Sequence, residues 1–506
     1  MGKISSAAVE EEEEEESPLV TNDDEHHQAI ISTASLSAAV SSSSSSEEED
    51  PISQQKQLQQ QQGDLVHRTG TRWTAVAHII TAVIGAGVLS LAWAVAQLGW
   101  IAGPLSMMAF AGITYVSATI LCDCYRYPDP EVGPRRFRSF LDAVHHYLGE
   151  RSQKAGGVLV QANLFGTAIA YTITSATSIR AIRESNCYHK EGHQAPCNSY
   201  GDGYNMLAFG VVQVVMSQIP DFHNMEWLSI LAAIMSFAYA VIGFGLGFAK
   251  VIENGEIKGS MTGVPAANTA DKIWLAFQAI GDIAFAYPYS LILLEIQDTL
   301  KSPPAENKTM KKASVTAIFI TTFFYLACGC FGYAAFGVAT PGNLLSGFGF
   351  YEPYWLIDFA NACVLLHLVG AYQMYAQPVF AYGEAWFTSK FPDSNLVNKH
   401  YNLSLPSSKH VTLTALRLCF RTAYVAVSTG IAMSFPYFNQ ILGVLGGLNF
   451  WPLSIYFPVE MYLVQRRIGA WTKEWVLLRA FSLGCLIVSI LALMGSIQGL
   501  FSAKFG

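Results

Sequence analysis

From residue 65 to the C-terminus, apolar stretches of 20 or more residues alternate with short polar connections. A helix rising 1.5 Å per residue needs ~20 apolar residues to cross ~30 Å of hydrocarbon. The pattern predicts eleven spans, at 74–96, 100–125, 155–182, 204–220, 226–249, 272–298, 313–336, 354–388, 412–434, 438–464 and 475–499. Two of them are interrupted. In the first, Gly85-Ala86-Gly87 sits in the middle of the run, where glycine weakens a helix by about 1 kcal/mol per residue and admits other groups to the backbone. In the sixth, Gly281 and Pro288 bracket Asp282 to Tyr287, and Pro288 has no N–H to return to the carbonyl of Ala284.

A Gly-x-Gly notch alone also reads as a place where a second helix packs closely. Interruptions in both the first and the sixth spans predict more: two inverted five-helix repeats, with a ligand held between the breaks. Broken backbone at mid-depth is tolerated only against protein or a wet cavity. The N–H groups around Gly85–Ser90 suit a carboxylate, while freed carbonyls near Ala284 and the Asp282 carboxyl suit an ammonium. A ligand with both charges close together is an α-amino acid, its side chain facing Phe285, Tyr287 and parts of the third and eighth spans.

Charge divides the chain. Residues 1–64 hold fifteen of the 38 acidic residues and two of the 30 basic ones, leaving 28 bases against 23 acids in 65–506. This tail carries Glu10–Glu16, the serine run Ser41–Ser46 and a glutamine-rich segment, Gln54 to Gln62. It buries too little apolar surface to offset its ordering entropy and is expected to be a disordered cytosolic tail, with 65–506 as the transmembrane domain. No basic stripe points to nucleic acid. Arginine and lysine concentrate in the connections 126–154, 299–312, 389–411 and 465–474, which predicts a cytosolic N-terminus and an extracellular C-terminus. In the external loop expected at Ser185–Gly203, Cys187 and Cys197 are ten residues apart on the oxidising face and are a disulfide candidate, with two free thiols as the alternative.

The runs His78–Gly103 and Gly281–Thr299, with Ser217-Gln-Ile-Pro-Asp-Phe-His223, Gly347-Phe-Gly-Phe-Tyr-Glu-Pro353, Trp355-Leu-Ile-Asp-Phe-Ala360 and Phe457-Pro-Val-Glu460, resemble the plant amino acid permease family of the amino acid/auxin permease group. The resemblance covers about Leu65 to Gly506 and excludes the tail. It implies an all-α polytopic fold of the amino acid–polyamine–organocation type with eleven transmembrane helices, and proton-driven import of amino acids at the plasma membrane. Carried onto this chain, substrate contacts fall on Ile84, Gly85, Ala86, Gly87, Val88, Leu89 and Ser90, and on Asp282, Ile283, Ala284, Phe285, Ala286 and Tyr287. Auxin carriers are the nearest relatives with another substrate.

A coupling proton needs a carboxylate or imidazole whose charge follows occupancy. His78, two turns before the first break, Asp282 at the second and His367 in the eighth span are the candidates. Each also reads as a satisfied packing residue, and Asp282 as a cap of the half-helix that follows. No cofactor or metal is expected, since the proton is the coupling ion and no zinc spacing occurs. An intramembrane enzyme has no support, as the chain lacks HExxH and any Ser or Cys nucleophile beside a histidine. A sensor using the same cleft for binding without turnover is the remaining rival.

Overall fold

The computed structural model describes residues 68–192, 195–197, 201–219, 226–348, 353–404 and 410–505, so the expected disordered tail, 1–64, lies outside the described residues. The described chain is mostly helical. Its first span is a short helix α1 (Arg72–Val83), a single 3-10 turn (Ala86–Leu89) and the start of α2 (Leu91–Asp123). Gly99, at φ 83°, bends the chain within α2 and so separates the first span from the second. An L side chain is disfavoured in that conformation, and a Cβ there would lie 2.3 Å from the carbonyl oxygen of Met261.

After a two-residue ladder of β1 (Arg126–Tyr127) with β2 (Arg135–Arg136) comes α3 (Phe140–Glu191), bent at Gly149. This helix runs well past the expected end at 182, so Ser185–Glu191, expected as loop, forms its last two turns. Cys187 on those turns is disulfide-bonded to Cys197, with Cα atoms 5.8 Å apart. Then follow α4 (Asp202–Ser217), α5 (Glu226–Asn254), α6 (Thr269–Ala286), α7 (Ser290–Asp298), α8 (Glu306–Phe336) and α9 (Tyr354–Lys390). The short α10 (Asn395–Asn398) leads into a hairpin of β3 (His400–Ser404) and β4 (His410–Thr414), so the ninth span begins at Ala415 rather than 412. The chain closes with α11 (Ala415–Ser434), α12 (Phe438–Asn449), a π-helical segment (Phe450–Tyr456), α13 (Phe457–Gln465) and α14 (Lys473–Phe505).

Among the described residues eight helices are long and apolar enough to cross a membrane. The expected spans at 74–96 and 204–220 are not among them as unbroken helices. The first is cut at Ile84–Gly85, leaving twelve residues in α1, and α4 has sixteen, about 18 and 24 Å long. The ninth, α11, is long enough, but Arg417 and Arg421 lie on it.

Small residues bring the core helices together. A Cβ on Gly446 of α12 would fall 2.0 Å from the carbonyl oxygen of Gly281 in α6, and one on Gly443 would fall 2.3 Å from Ser496 Oγ in α14. Contacts this close let α6, α12 and α14 meet almost backbone to backbone. At one end of the bundle the segment entering α1 is tied to the segment leaving α7. Gly70 N–H donates to Thr299 O at 2.9 Å, Lys301 N–H donates to Gly70 O at 2.9 Å, and Arg68 pairs with Asp298 at 3.0 Å. Beside them Arg126 grips buried Glu306 with two bonds, Nε–Oε2 2.9 Å and Nη2–Oε1 2.6 Å. Arg126→Ala is expected to lower the melting temperature of the detergent-purified protein, since it leaves buried Glu306 only the longer contact to Arg136 Nη2 at 3.5 Å, and breaking a buried pair outright costs roughly 3–5 kcal/mol. Unchanged melting would show that Glu306 is served equally well without the fork.

Candidate functional site

The site is built from the two breaks. After Val83 the chain turns tightly at Ile84 (φ −77°, ψ 81°), is extended at Gly85 (φ −121°, ψ −154°) and then enters the 3-10 turn. Gly85 N–H bonds back to Val83 O at 2.9 Å, Val88 N–H to Gly85 O at 3.3 Å and Ser90 N–H to Gly87 O at 3.2 Å. Local bonds thus consume the N–H groups of Gly85, Val88 and Ser90. The first two residues of the turn, Ala86 and Gly87, keep their N–H groups outside any bond among the described residues. The positive pole is therefore narrower than the predicted stretch Gly85–Ser90.

The second break falls at Tyr287–Tyr289, between α6 and α7. Its ring and missing N–H make Pro288 the cause, as the sequence predicts. The carbonyl of Ala286, the last residue of α6, faces the hydroxyl of Tyr325 at 2.8 Å, and the same hydroxyl is 2.7 Å from Val83 O. Tyr239 Oη donates to Ile84 O at 3.4 Å. Two tyrosines, from α8 and α5, thus serve the carbonyls that the breaks release.

Both breaks face one cavity of about 140 Å³. A cavity of roughly 150 Å³ takes a benzene-sized molecule, so this one holds a small organic ligand. Val83, Gly85, Ala86 and Gly87 line it from the first break, and Ala284, Phe285, Ala286 and Pro288 from the second. Opposite them stand Asn163, Thr167 and Tyr171 of α3, Tyr375 of α9, and Asn449, Phe450 and Ser454 around the π-helical segment. Tyr171 and Tyr375 meet edge to face, centroids 5.6 Å apart. The described lining carries no charged side chain.

The expected contacts therefore divide. Gly85, Ala86, Gly87, Ala284, Phe285 and Ala286 line the cavity. Ile84, Val88, Leu89, Ser90, Ile283 and Tyr287 do not; they are buried in the packing behind it, because a turn or helix presents only one face. Asp282 also stands away from the lining. It is wholly buried, its Oδ2 accepting from Asn439 Nδ2 at 2.8 Å and its Oδ1 without a hydrogen-bond partner among the described residues. Lying in the body of α6, it caps no helix.

The histidines also part. His78 lies on the exposed face of α1, with Nδ1 2.7 Å from the Thr74 carbonyl, while α1 buries Ala75, Val76, Ile79, Ile80 and Val83. His367 is buried against the first break: a Cβ placed on Gly85 would lie 4.0 Å from its Nε2 and 3.9 Å from Tyr171 Oη. Its Nδ1 lies 2.9 Å from the Ala232 carbonyl, which can only accept, so Nδ1 carries hydrogen and Nε2 is left to accept in the neutral ring.

The family model described as "Transmembrane amino acid transporter protein" matches residues 68–502. The chain belongs to this family. It is 60% identical over 443 residues to probable amino acid permease 7 of Arabidopsis thaliana, covering 87% of this chain and 95% of that relative. Amino acid permease 3 of the same plant is 55% identical over 434 residues, 85% and 91% of the two chains. Lysine histidine transporter-like 6 is 30% identical over 80% of this chain and 84% of its own. These relatives are named permeases and transporters, not enzymes. Among solved structures, the crystal structure of MhsT in complex with L-phenylalanine has a TM-score of 0.52 at 12% identity, covering 85% of this chain and 100% of that one. The likeness is one of fold.

Proposed function

We propose that this chain is a proton-coupled symporter that imports amino acids across the plasma membrane by alternating access. The observation that carries the reading is a cavity between the two breaks, lined by Val83 and Gly85 to Gly87 from one and by Ala284 to Ala286 from the other, where the N–H groups of Ala86 and Gly87 stand outside any bond among the described residues. With no charged side chain in the described lining, the free backbone groups of the breaks suit a ligand that is itself net neutral, a zwitterion. Relatives named amino acid permeases support the same substrate class.

In this reading eleven spans form two inverted five-helix repeats plus one helix, with the N-terminus cytosolic and the C-terminus extracellular. Residues 1–64 are a cytosolic tail and 65–506 the transport domain. Gly85 to Gly87 and Ala284 to Ala286 hold the substrate. Of the proton-coupling candidates, placement favours Asp282 and His367, both buried beside the breaks, over His78 on the outer face.

Uptake of labelled amino acid by cells expressing the protein separates carrier from sensor. It is expected to rise as external pH falls from about 7.5 to about 5.5, the range in which an imidazole titrates, because the inward proton gradient then steepens. The same uptake is expected to carry inward current in sodium-free medium. Sodium-dependent, pH-indifferent accumulation would refute proton coupling, and binding without accumulation would favour a sensor.

A further inference from the structure

We propose that Tyr325 is a positioning residue for the amine of the substrate, holding one carbonyl oxygen of each break in register for an ammonium group. This rests on the reading of the chain as an amino acid carrier. Tyr325 stands on α8, outside both breaks, and is fully buried. Its hydroxyl lies 2.7 Å from Val83 O and 2.8 Å from Ala286 O. Val83 is the last residue of α1 and Ala286 the last of α6, and both line the cavity that Tyr325 itself does not reach.

A phenol has one proton, so it donates to one of these carbonyls at a time. Gly85 N–H adds one donor, also to Val83 O. Each carbonyl oxygen has two lone pairs, so the cluster of Val83 O, Ala286 O and Tyr325 Oη holds more acceptor sites than donors. A group with several N–H donors and a positive charge completes it, and an ammonium brings three. The ring is fixed independently of any ligand, with its edge against Tyr287 at a centroid distance of 5.0 Å and an interplanar angle of 82°. The hydroxyl is thus a fixed spacer between two half-helices that otherwise share no covalent or helical link at this depth. Removing it frees the two carbonyls to drift apart or to turn toward other donors, and the loss falls on whatever part of the substrate binds them.

Tyr325→Phe keeps the ring and its edge contact and removes only the hydroxyl. In cells where the unaltered chain accumulates a labelled amino acid, competition is measured with the unlabelled amino acid and with its des-amino analogue, the carboxylic acid bearing hydrogen in place of the amine. The unaltered chain is expected to prefer the amine-bearing competitor by about tenfold or more, the usual worth of hydrogen bonds to a charged group. In the Phe variant, at matched surface abundance, that preference is expected to fall toward unity through a raised KM with Vmax largely kept. A variant that weakens both competitors equally, or neither, would overturn the proposal and leave the hydroxyl a packing element. Failure of the Phe variant to reach the membrane would equally make it a folding element. If the unaltered chain accumulates no amino acid, the carrier reading fails, and the same competitor ratio measured by binding to purified protein then decides the role of Tyr325.

Discussion

Gly85→Ala is expected to leave a folded protein in the membrane while cutting amino acid uptake at least about tenfold, and Gly87→Val to abolish it. The two glycines differ in what surrounds them. At Gly85 a Cβ meets nothing nearer than Tyr171 Oη at 3.9 Å, and its φ of −121° suits any L residue. The added methyl therefore fits the fold without strain. It occupies space in a cavity of only about 140 Å³, beside the N–H groups of Ala86 and Gly87. At Gly87 a Cβ would lie 3.3 Å from Cα and Cβ of Ala286 and 3.4 Å from Phe285 Cδ1. The two breaks touch there, and the branched side chain of valine wedges them apart. Surface labelling, melting temperature and initial-rate uptake separate the outcomes. A correctly localised Gly85→Ala or Gly87→Val protein with normal uptake would reject the backbone site.

Where the sequence speaks clearly, the cause is local and covalent. Pro288 cannot supply an N–H, and α6 ends two residues before it. Gly85 opens a run otherwise apolar and helix-forming, and α1 stops beside it. Less legible are the helix limits, because hydropathy marks the bilayer and not the end of the hydrogen-bonded rod. α3 continues beyond 182 through the polar Arg183, Glu184 and Asn186, with Asn186 bonded to Asp358 of α9 at 2.7 Å, and no windowed measure of apolarity sees that partner. The π-helical segment at Phe450–Tyr456 also escaped, although Gly446-Gly447 followed by Pro452 signals irregular backbone.

The site was legible as two segments and not as side chains. A broken helix announces that its carbonyls need partners, but Tyr325 and Tyr239 lie far away along the chain, in spans whose sequences are ordinary apolar runs. Asp282 shows the converse. Its position near a break made it look like a ligand group, yet α6 turns it toward α12, where Asn439 meets it. His78 and His367 read alike in the sequence as coupling candidates. Burial separates them, since His367 lies against Gly85 and His78 on the outside of α1.

Asp282→Asn is expected to preserve recognition of amino acid and to lose accumulation driven by a pH gradient. The carboxyl is enclosed at the junction of α6, α12 and α14, near Asn439, Gly443 and Ser496, and a Cβ on Gly443 would stand 3.2 Å from Oδ1. No Lys, Arg or His among the described residues pairs with it, and Oδ1 has no hydrogen-bond partner. Gaining or losing a proton there changes both the charge of the junction and the sense of its hydrogen bond, from acceptor to donor. Because α6 meets α12 through glycines at close approach, a change in that bond bears directly on the helix that carries the second break. Asparagine keeps the size and an oxygen for Asn439, but it has a fixed donor and exchanges no proton. Since Asp282 does not line the cavity, exchange of labelled for unlabelled amino acid at equal pH should persist in the variant. Uptake under an inward proton gradient should stop at the equilibrium level. Asp282→Ala instead strands the Asn439 amide, which costs about 1–3 kcal/mol and should lower the melting temperature as well. Proteoliposomes with and without a pH gradient make the comparison directly. Full gradient-driven accumulation by Asp282→Asn would show that this carboxyl is a buried packing group and would move the search for the coupling residue to His367, at the opposite break.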